Sequence, residues 1–164
     1  MKKTPFLLTA FLLFATIGTL QAQAQNQSKL PLFSMLLTNG KVLTTTNLSP
    51  AKPTILIYFA PDCEHCQVLM NAFFKRPAAF KNAQVLMVTF KPLNELGRFE
   101  ESFKTYKYSN IYVGAETKPL YLQTFYKLQN TPFTALYDKS KNLVASFGKE
   151  TSVDNLLKKL ESLK

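Results

Sequence analysis

The sequence predicts an α/β domain in which helices cover a central mixed β-sheet. Two continuous apolar runs, at residues 54–60 and 84–90, are rich in β-branched and aromatic side chains, as in strands buried on both faces. Segments with apolar residues at helical spacing follow both runs, and another such segment closes the chain. This alternation of strands and helices predicts a sheet with helices packed on its faces.

Turn signals and helical spacing place the remaining elements. Asn39-Gly40 is a two-residue hairpin signal and predicts an antiparallel pair of strands at 33–38 and 41–46. Pro77 ends or kinks a helix, whereas Pro119 suits the first turn of one. After the hairpin, the predicted elements are a strand at 54–60, a helix at 63–75, a strand at 84–90, a helix at 94–106, a short strand or loop at 111–113, a helix at 119–128, strands at 133–138 and 143–148 joined by the polar link 139–142, and a last helix.

The last helix has both a start signal and an apolar face. Thr151 and Asp154 have the spacing of a capping box, which satisfies free backbone N–H groups at a helix start. The apolar residues recur at helical spacing, so they predict one face turned towards the core. That face consists of Val153, Leu156, Leu157, Leu160 and Leu163.

The N-terminus has the organisation of an export signal. Lys2 and Lys3 precede an apolar stretch at 6–20, which is short for a membrane span, and Ala22-Gln23-Ala24 supplies a small-x-small cleavage pattern. We therefore expect a signal peptide at 1–24, a flexible lead at 25–32 and one domain at 33–164, located in the periplasm or otherwise exported. The alternative is an uncleaved N-terminal anchor, which the cleavage pattern disfavours.

The charge is basic but scattered. The formal net charge is +10, and +8 remains without Lys2 and Lys3. No compact run of lysine and arginine indicates a nucleic-acid surface, and we expect no nucleic-acid partner. A soluble basic surface is the main interpretation, with weak attraction to acidic membranes or acidic clients as the alternative.

The chain contains two cysteines, Cys63 and Cys66, three positions apart and directly after an apolar run. A Cys-x-x-Cys pair where a strand gives way to a helix is typical of dithiol–disulfide exchange. Cys63 lies nearer the helix start, where free N–H groups and the helix dipole favour a thiolate, so we assign it as the attacking thiol. Cys66, one turn further, is predicted to be more buried and to resolve the mixed disulfide.

Glu64 and His65 between the cysteines are predicted to tune this chemistry. The carboxylate opposes a thiolate at Cys63, whereas a protonated His65 favours it and would raise the oxidising power. The alternatives for the cysteine pair are a structural disulfide or half of a zinc site. A bridge across four residues closes a very short loop, and two cysteines with one histidine are too few for a structural zinc, so we expect neither a metal nor another cofactor.

Two segments resemble the thioredoxin-like superfamily, most closely the exported TlpA/ResA-type thiol–disulfide oxidoreductases. They are Tyr-Phe-Ala-Pro-Asp-Cys-Glu-His-Cys-Gln at 58–67 and Phe-Tyr-Lys-Leu-Gln-Asn-Thr-Pro-Phe-Thr-Ala-Leu-Tyr-Asp at 125–138. The resemblance covers roughly 33–163 and implies a three-layer sandwich with an N-terminal β-hairpin. It also implies that Pro132 is cis beside the cysteines, and that the backbone of Thr131 pairs with the substrate segment like an added strand.

The sequence departs from common thioredoxins at the active site. Ile57 stands where many thioredoxins have a buried acid, and the motif lacks their Trp, Gly and Pro. The resemblance implies a reductase of client disulfides that receives electrons from a membrane thiol protein. A DsbA-like oxidase is the alternative within the class, and a copper-binding module is the alternative outside it. A peroxiredoxin-type peroxidase is disfavoured because its Pro-x-x-x-Thr-x-x-Cys pattern is absent.

Overall fold

The computed structural model describes residues 28–163, so the predicted signal peptide at 1–24 lies outside the described residues. The described elements alternate between strands and helices along most of the chain. The strands are β1 (Ser34–Leu37), β2 (Val42–Thr44), β3 (Thr54–Phe59), β4 (Gln84–Thr89), β5 (Ile111–Glu116), β6 (Phe133–Tyr137) and β7 (Leu143–Phe147), and the helices are α1 (Glu64–Phe74), α2 (Gly97–Phe103), α3 (Tyr121–Tyr126) and α4 (Val153–Glu161).

The seven strands form one mixed sheet in the order β2-β1-β5-β4-β3-β6-β7. The central strands β3, β4 and β5 are parallel, and the other neighbouring strands pair antiparallel. Every residue of β3 and β4 is buried. These two apolar runs are therefore central strands, as the sequence predicted, because strands covered on both faces need apolar side chains throughout.

Helices cover both faces of the sheet. On one face, Cys66 and Phe73 of α1 pack with Leu156 and Leu160 of α4, and with Phe99 of α2. On the other face, Leu122 of α3 packs together with apolar residues that precede β3. The predicted α/β fold with a central mixed sheet flanked by helices is confirmed.

Two predicted helices are shorter than expected. The segment predicted as a helix at 94–106 has its α-helical part, α2, at Gly97–Phe103, because Lys104 takes a left-handed conformation with φ 50° and ends the helix. The helix predicted at 119–128 begins only at Tyr121, because Leu120 is also left-handed, with φ 58°. Outside the helix, Leu120 has 46% of its surface exposed. Within α3, Leu122 is fully buried.

The prediction of a short strand or loop at 111–113 underestimates β5. This strand has six residues and lies inside the sheet, between β1 and β4. Gly114 weakens the strand signal in the sequence but is required in the structure, because β1 passes very close to it. A Cβ at Gly114 would overlap the carbonyl oxygen of Leu36 and lie 3.0 Å from Cα of Leu37.

The N-terminal lead and the last helix also need corrections. Within the predicted flexible lead at 25–32, Leu30 is buried and its N–H donates to the carbonyl oxygen of Lys141 at 3.0 Å, so the described part of the lead is held against the β6–β7 turn.

At α4, Ser152 is the capping residue, and its hydroxyl accepts from Asn155 N–H at 3.4 Å. Between residues 28 and 163, none of the helices has the length and apolarity that crossing a bilayer requires.

Replacement of Gly114 by alanine tests the tight approach of β1 to β5. We expect Gly114→Ala to lower the free energy of unfolding by about 2 kcal/mol, because the added methyl group overlaps backbone atoms that cannot move independently. Gly97→Ala is the matched control, since nothing lies within 4 Å of its added Cβ and its φ of −55° suits alanine. It should raise the stability by about 0.5 kcal/mol. Equal effects of the two substitutions in urea unfolding would contradict this account of β5.

Candidate active site

The two cysteines lie where β3 ends and α1 begins. The N–H of Cys63 donates to the carbonyl oxygen of Ala60 at 3.2 Å, which closes the turn after β3. Cys63 is the residue that precedes the first turn of α1, and its extended backbone has φ −86° and ψ 120°. It is half-buried, whereas Cys66 is only 1% exposed. The predicted difference in burial between the two thiols is therefore present.

The electrostatic surroundings of the two sulfur atoms differ in the same direction. Burial raises the pKa of the Cys63 thiol, but hydrogen bonds from the side chains of Thr131 and Cys66 and from the backbone of Cys66 and His65 outweigh it, so the pKa is lower than usual. Burial, together with the hydrogen bond to Cys63 and its charge, raises the pKa of Cys66 to about 12. Near neutral pH, Cys63 is the better nucleophile.

The loop before β6 lies directly beside Cys63. The Thr131-Pro132 peptide bond is cis, as the resemblance implied. The Cys63 thiol donates to the carbonyl oxygen of Thr131 over 3.5 Å between Sγ and O. This position follows from strand pairing, because Tyr58 near the end of β3 is opposite Phe133 at the start of β6. The structure thus brings Cys63, Cys66, Thr131 and Pro132 together.

A groove of about 370 Å³ opens next to the Cys63 sulfur. Cys63, His65 and Thr131 line it, together with Tyr58, Phe90, Gln123, Leu128, Gln129, Asn130 and Lys149. A larger cleft of about 690 Å³ lies on the other side of the motif and is lined by residues that include Asp62, Gln67 and Arg98, but by neither cysteine. The side on which a second sulfur atom can approach Cys63 is therefore the smaller groove.

The predicted tuning residues are placed differently from one another. Glu64 and His65 are both exposed, and His65 lines the groove. The acid with a clear partner in the motif is Asp62, whose carboxylate lies 3.1 Å from the Lys91 ammonium. The hydrogen bond from Lys91 lowers the pKa of Asp62, and the same contact raises the pKa of Lys91. The charge of Asp62 is thereby partly compensated by Lys91 beside the active site.

The sequence reasoning missed a buried acid that supports the groove wall. Glu116, 7% exposed, accepts a hydrogen bond from the Tyr58 hydroxyl at 2.9 Å and from the Leu122 N–H at 3.0 Å. Burial, together with the hydrogen bond and charge of Glu116, raises the pKa of Tyr58. Glu116 thus fixes Tyr58 and the start of α3, which carries the groove residue Gln123. An acid at the end of a possible strand was the signal available in the sequence.

A second missed residue is Thr134. Within residues 28–163, its hydroxyl is the buried side-chain oxygen or nitrogen that has no hydrogen-bond partner. Side chains alternate between the two faces of the sheet along β6, so Thr134 points to the same face as Leu136, the face covered by α1. Leu136 packs in the same core as Cys66, whereas Ala135 and Tyr137 belong to the core on the α3 side. Its cross-strand neighbour is Ile57, the position at which many thioredoxins carry an acid.

The part of the chain that the structure describes contains no group of three or more His, Cys, Asp or Glu residues suited to a metal ion.

Comparison with solved structures shows the same fold in several proteins at low sequence identity. They include the exposed lipoprotein thioredoxin Etrx1 of Streptococcus pneumoniae (22% identity, 81% of this chain and 100% of that chain covered, TM-score 0.61). A secreted disulfide oxidoreductase of Mycobacterium tuberculosis described as homologous to DsbE has 14% identity, covers 85% and 98%, and has a TM-score of 0.66. A thioredoxin-like protein from Porphyromonas gingivalis has 19% identity, covers 83% and 92%, and has a TM-score of 0.66.

Neither the protein-family models nor the curated proteins give a match to this chain. At these identities the structural likeness establishes the fold: the chain has a thioredoxin-like α/β fold.

The different surroundings of the two thiols predict selective alkylation. When the reduced protein is treated with iodoacetamide, we expect Cys63 to be modified first, with a rate that levels off at a lower pH than for a free cysteine, because its pKa is lowered. Cys66, with its pKa near 12, should stay unmodified through neutral pH. Mass spectrometry of the labelled peptides measures both rates, and the denatured protein is the control in which the cysteines should react alike. Comparable labelling of both cysteines in the native protein would contradict the assignment.

Proposed function

We propose that this protein is an exported thiol–disulfide oxidoreductase that acts through Cys63 and Cys66, most readily as a reductase of disulfides in client proteins. The observation that carries the proposal is the pairing of a half-buried Cys63 with a lowered pKa and a buried Cys66 with a raised pKa, beside the cis Thr131-Pro132 loop. A structural disulfide does not require this difference between its two thiols. An exchange reaction requires one thiol that attacks as a thiolate and a second that stays protonated until it resolves the mixed disulfide.

In the reaction, the Cys63 thiolate attacks one sulfur atom of the client disulfide. The client S–S bond breaks, a Cys63–client disulfide forms, and the second client sulfur leaves as a thiolate and takes up a proton. Cys66 then loses its proton and attacks Sγ of Cys63. The client is released with two thiols. It has gained two electrons from the cysteine pair, and Cys63 and Cys66 are now joined by a disulfide.

The groove beside Cys63 is the proposed site for the client. The backbone of Thr131 would pair with an extended client segment as an added strand, and Pro132 would fix this backbone against the cysteines. The lining combines the rings of Tyr58 and Phe90 with side-chain amides, which suits a peptide segment around a disulfide. Glu64 and His65 remain the proposed tuning residues, since both directly follow Cys63 in the exposed first turn of α1.

Export and the direction of electron flow rest on separate observations. The N-terminal pattern of Lys2 and Lys3, the apolar stretch at 6–20 and the Ala22-Gln23-Ala24 site support export. Two structural neighbours are described as secreted or as an exposed lipoprotein, which agrees with this location. The reductase direction follows from the resemblance to TlpA/ResA-type proteins, and the proposed electron donor is a membrane thiol protein. The DsbA-like alternative keeps the same site and reverses the net flow.

Trapping of the mixed disulfide tests the mechanism. We expect Cys66→Ser to accumulate a covalent adduct with a model peptide that contains a disulfide, because Cys63 still attacks and nothing resolves the bond. Cys63→Ser should form no adduct, since Cys66 is 1% exposed. Non-reducing electrophoresis and mass spectrometry of the adduct identify the attacking sulfur. Absence of an adduct with Cys66→Ser, although the parent protein is folded and reduced, would rule out this mechanism.

The reduction potential of the Cys63–Cys66 pair tests the direction. For a reductase we expect a value near that of thioredoxin, about −270 mV, when the protein is equilibrated with defined thiol buffers. A value near that of DsbA, about −120 mV, would show that the thiolate-stabilising contacts of Cys63 dominate and that the protein oxidises its clients. His65→Ala provides the comparison that isolates the histidine, and its potential should be lower than that of the parent if His65 stabilises the reduced form.

A further inference from the structure

Three exposed lysines surround an apolar pocket at the end of the protein opposite the cysteines. The pocket has a volume of about 520 Å³, and its lining includes Lys52, Lys81 and Lys139 around apolar groups such as Pro53 and Leu160. One carboxylate, Glu161, also lines it. We call this surface the lysine pole. Its lining has more positive than negative charge, whereas the cleft beside Asp62 combines Arg98 with two carboxylates, Asp62 and Glu95.

The fold gathers these lysines although they are far apart in the sequence. Lys52 precedes β3 and Lys81 precedes β4, and these parallel strands begin at the same edge of the sheet. Lys139 follows β6, which is antiparallel to β3 and therefore ends at that edge. Cys63 follows the other end of β3. The lysine pole and the active site are thus separated by roughly the length of the central strand, about 20 Å for its residues.

None of the three lysines of the lysine pole forms an ion pair within residues 28–163. The ion pairs of the described residues are Arg76 with Asp154 and Lys91 with Asp62, so no carboxylate there pairs with Lys52, Lys81 or Lys139. The nearest acid in sequence, Asp138, accepts instead from the backbone and side chain of Asn142, at 2.8 and 2.9 Å. Burying such charges against protein would be costly, but an anionic surface with water around it is a favourable partner.

We propose that the lysine pole docks on an anionic lipid surface. Flexible lysine side chains extend their ammonium groups to lipid phosphates while their methylene groups cover apolar surface, and each lysine near such a membrane adds attraction. The apolar lining of the pocket suits the headgroup–acyl boundary better than a nucleic acid, for which no stacking aromatic lines the pocket. Lys29 also lies at this end of the sheet, because its ammonium donates to the carbonyl oxygen of Ser140 at 3.4 Å and the neighbouring Ser28 carbonyl oxygen accepts from Leu143 N–H.

Docking in this orientation would direct the cysteine groove away from the bilayer. The active site follows the end of β3 that is remote from the lysine pole. A client in solution would therefore reach Cys63 while the protein stays on the membrane surface. This inference does not depend on the thiol chemistry, since the lysines and the pocket are separate from the cysteines.

Vesicle binding tests the proposal. The probe is a vesicle of equimolar phosphatidylglycerol and phosphatidylcholine, compared with pure phosphatidylcholine, and the protein is used as recovered after export, with the same N-terminus in all variants. We expect the parent to sediment with the anionic vesicles at low salt and to be released at high salt. Lys52→Gln/Lys81→Gln/Lys139→Gln should weaken this partitioning by about a hundredfold.

The matched control removes three positive charges from the other end of the sheet. Arg98→Gln/Lys118→Gln/Lys127→Gln should partition nearly as the parent does. These residues come after β4, after β5 and after α3, respectively, and therefore lie at the end of the sheet where Cys63 lies, remote from the lysine pole. The single variant Lys139→Gln, expected to weaken binding about fivefold, covers the case in which the triple variant fails to fold. Equal losses in both triple variants, or no sedimentation of the parent with anionic vesicles, would overturn the proposal. Disulfide exchange by each variant is measured separately, so a failure of the thiol chemistry would be seen apart from a failure of docking.

Discussion

The antiparallel pairing of β3 with β6 is the constraint on which the candidate active site depends. β3 is fully buried in the middle of the sheet, and Cys63 follows the turn at its end. Because Tyr58 is paired with Phe133, the residues just before β6 must lie beside that turn. The carbonyl of Thr131 therefore reaches the Cys63 sulfur, although 68 positions separate the two residues in the sequence. A shift of one residue in this register would also move the side chains of β6 to the wrong face.

The sequence predicted an element well where one local pattern, such as an apolar run, determines its structure. It predicted less well where the structure depends on a contact with a neighbouring strand or on a backbone conformation that the residue type does not indicate. The apolar run that forms β3 predicted a buried strand because both faces of the sheet demand the same kind of residue. For β5 the local signal was misleading, since Gly114 disfavours a strand by itself and is explained only by the closeness of β1. The left-handed conformations of Lys104 and Leu120 likewise left no clear trace in the sequence, because glycine is the residue that usually marks them.

At the active site, the motif predicted the residue types but could not provide their surroundings. Cys63 and Cys66 are alike as side chains, and what distinguishes them is the burial of one and the backbone contacts of the other. Glu116 and Thr134 belong to strands that pack around the motif, so their relation to it appears only once the sheet is assembled. Distant residues of this kind carry no spacing signal relative to the cysteines, and an isolated sequence cannot connect them.

The assembled sheet also limits how the proton of Cys66 can leave in the proposed reaction. Glu116, the buried acid, is held by Tyr58 on the α3 side of the sheet, whereas Cys66 lies on the α1 side. The layer of the sheet therefore separates this carboxylate from the resolving thiol, and Ile57 offers no acid on the correct side. The polar groups that affect Cys66 directly are the Cys63 sulfur, the Thr131 side chain and the backbone of Ala60. When the Cys63 thiolate attacks the client it becomes part of the mixed disulfide. This removes the charge of the Cys63 thiolate and its hydrogen bond, which together with burial raise the pKa of Cys66. The first half of the reaction thus prepares the second, and the departing client thiolate is a suitable acceptor for the proton.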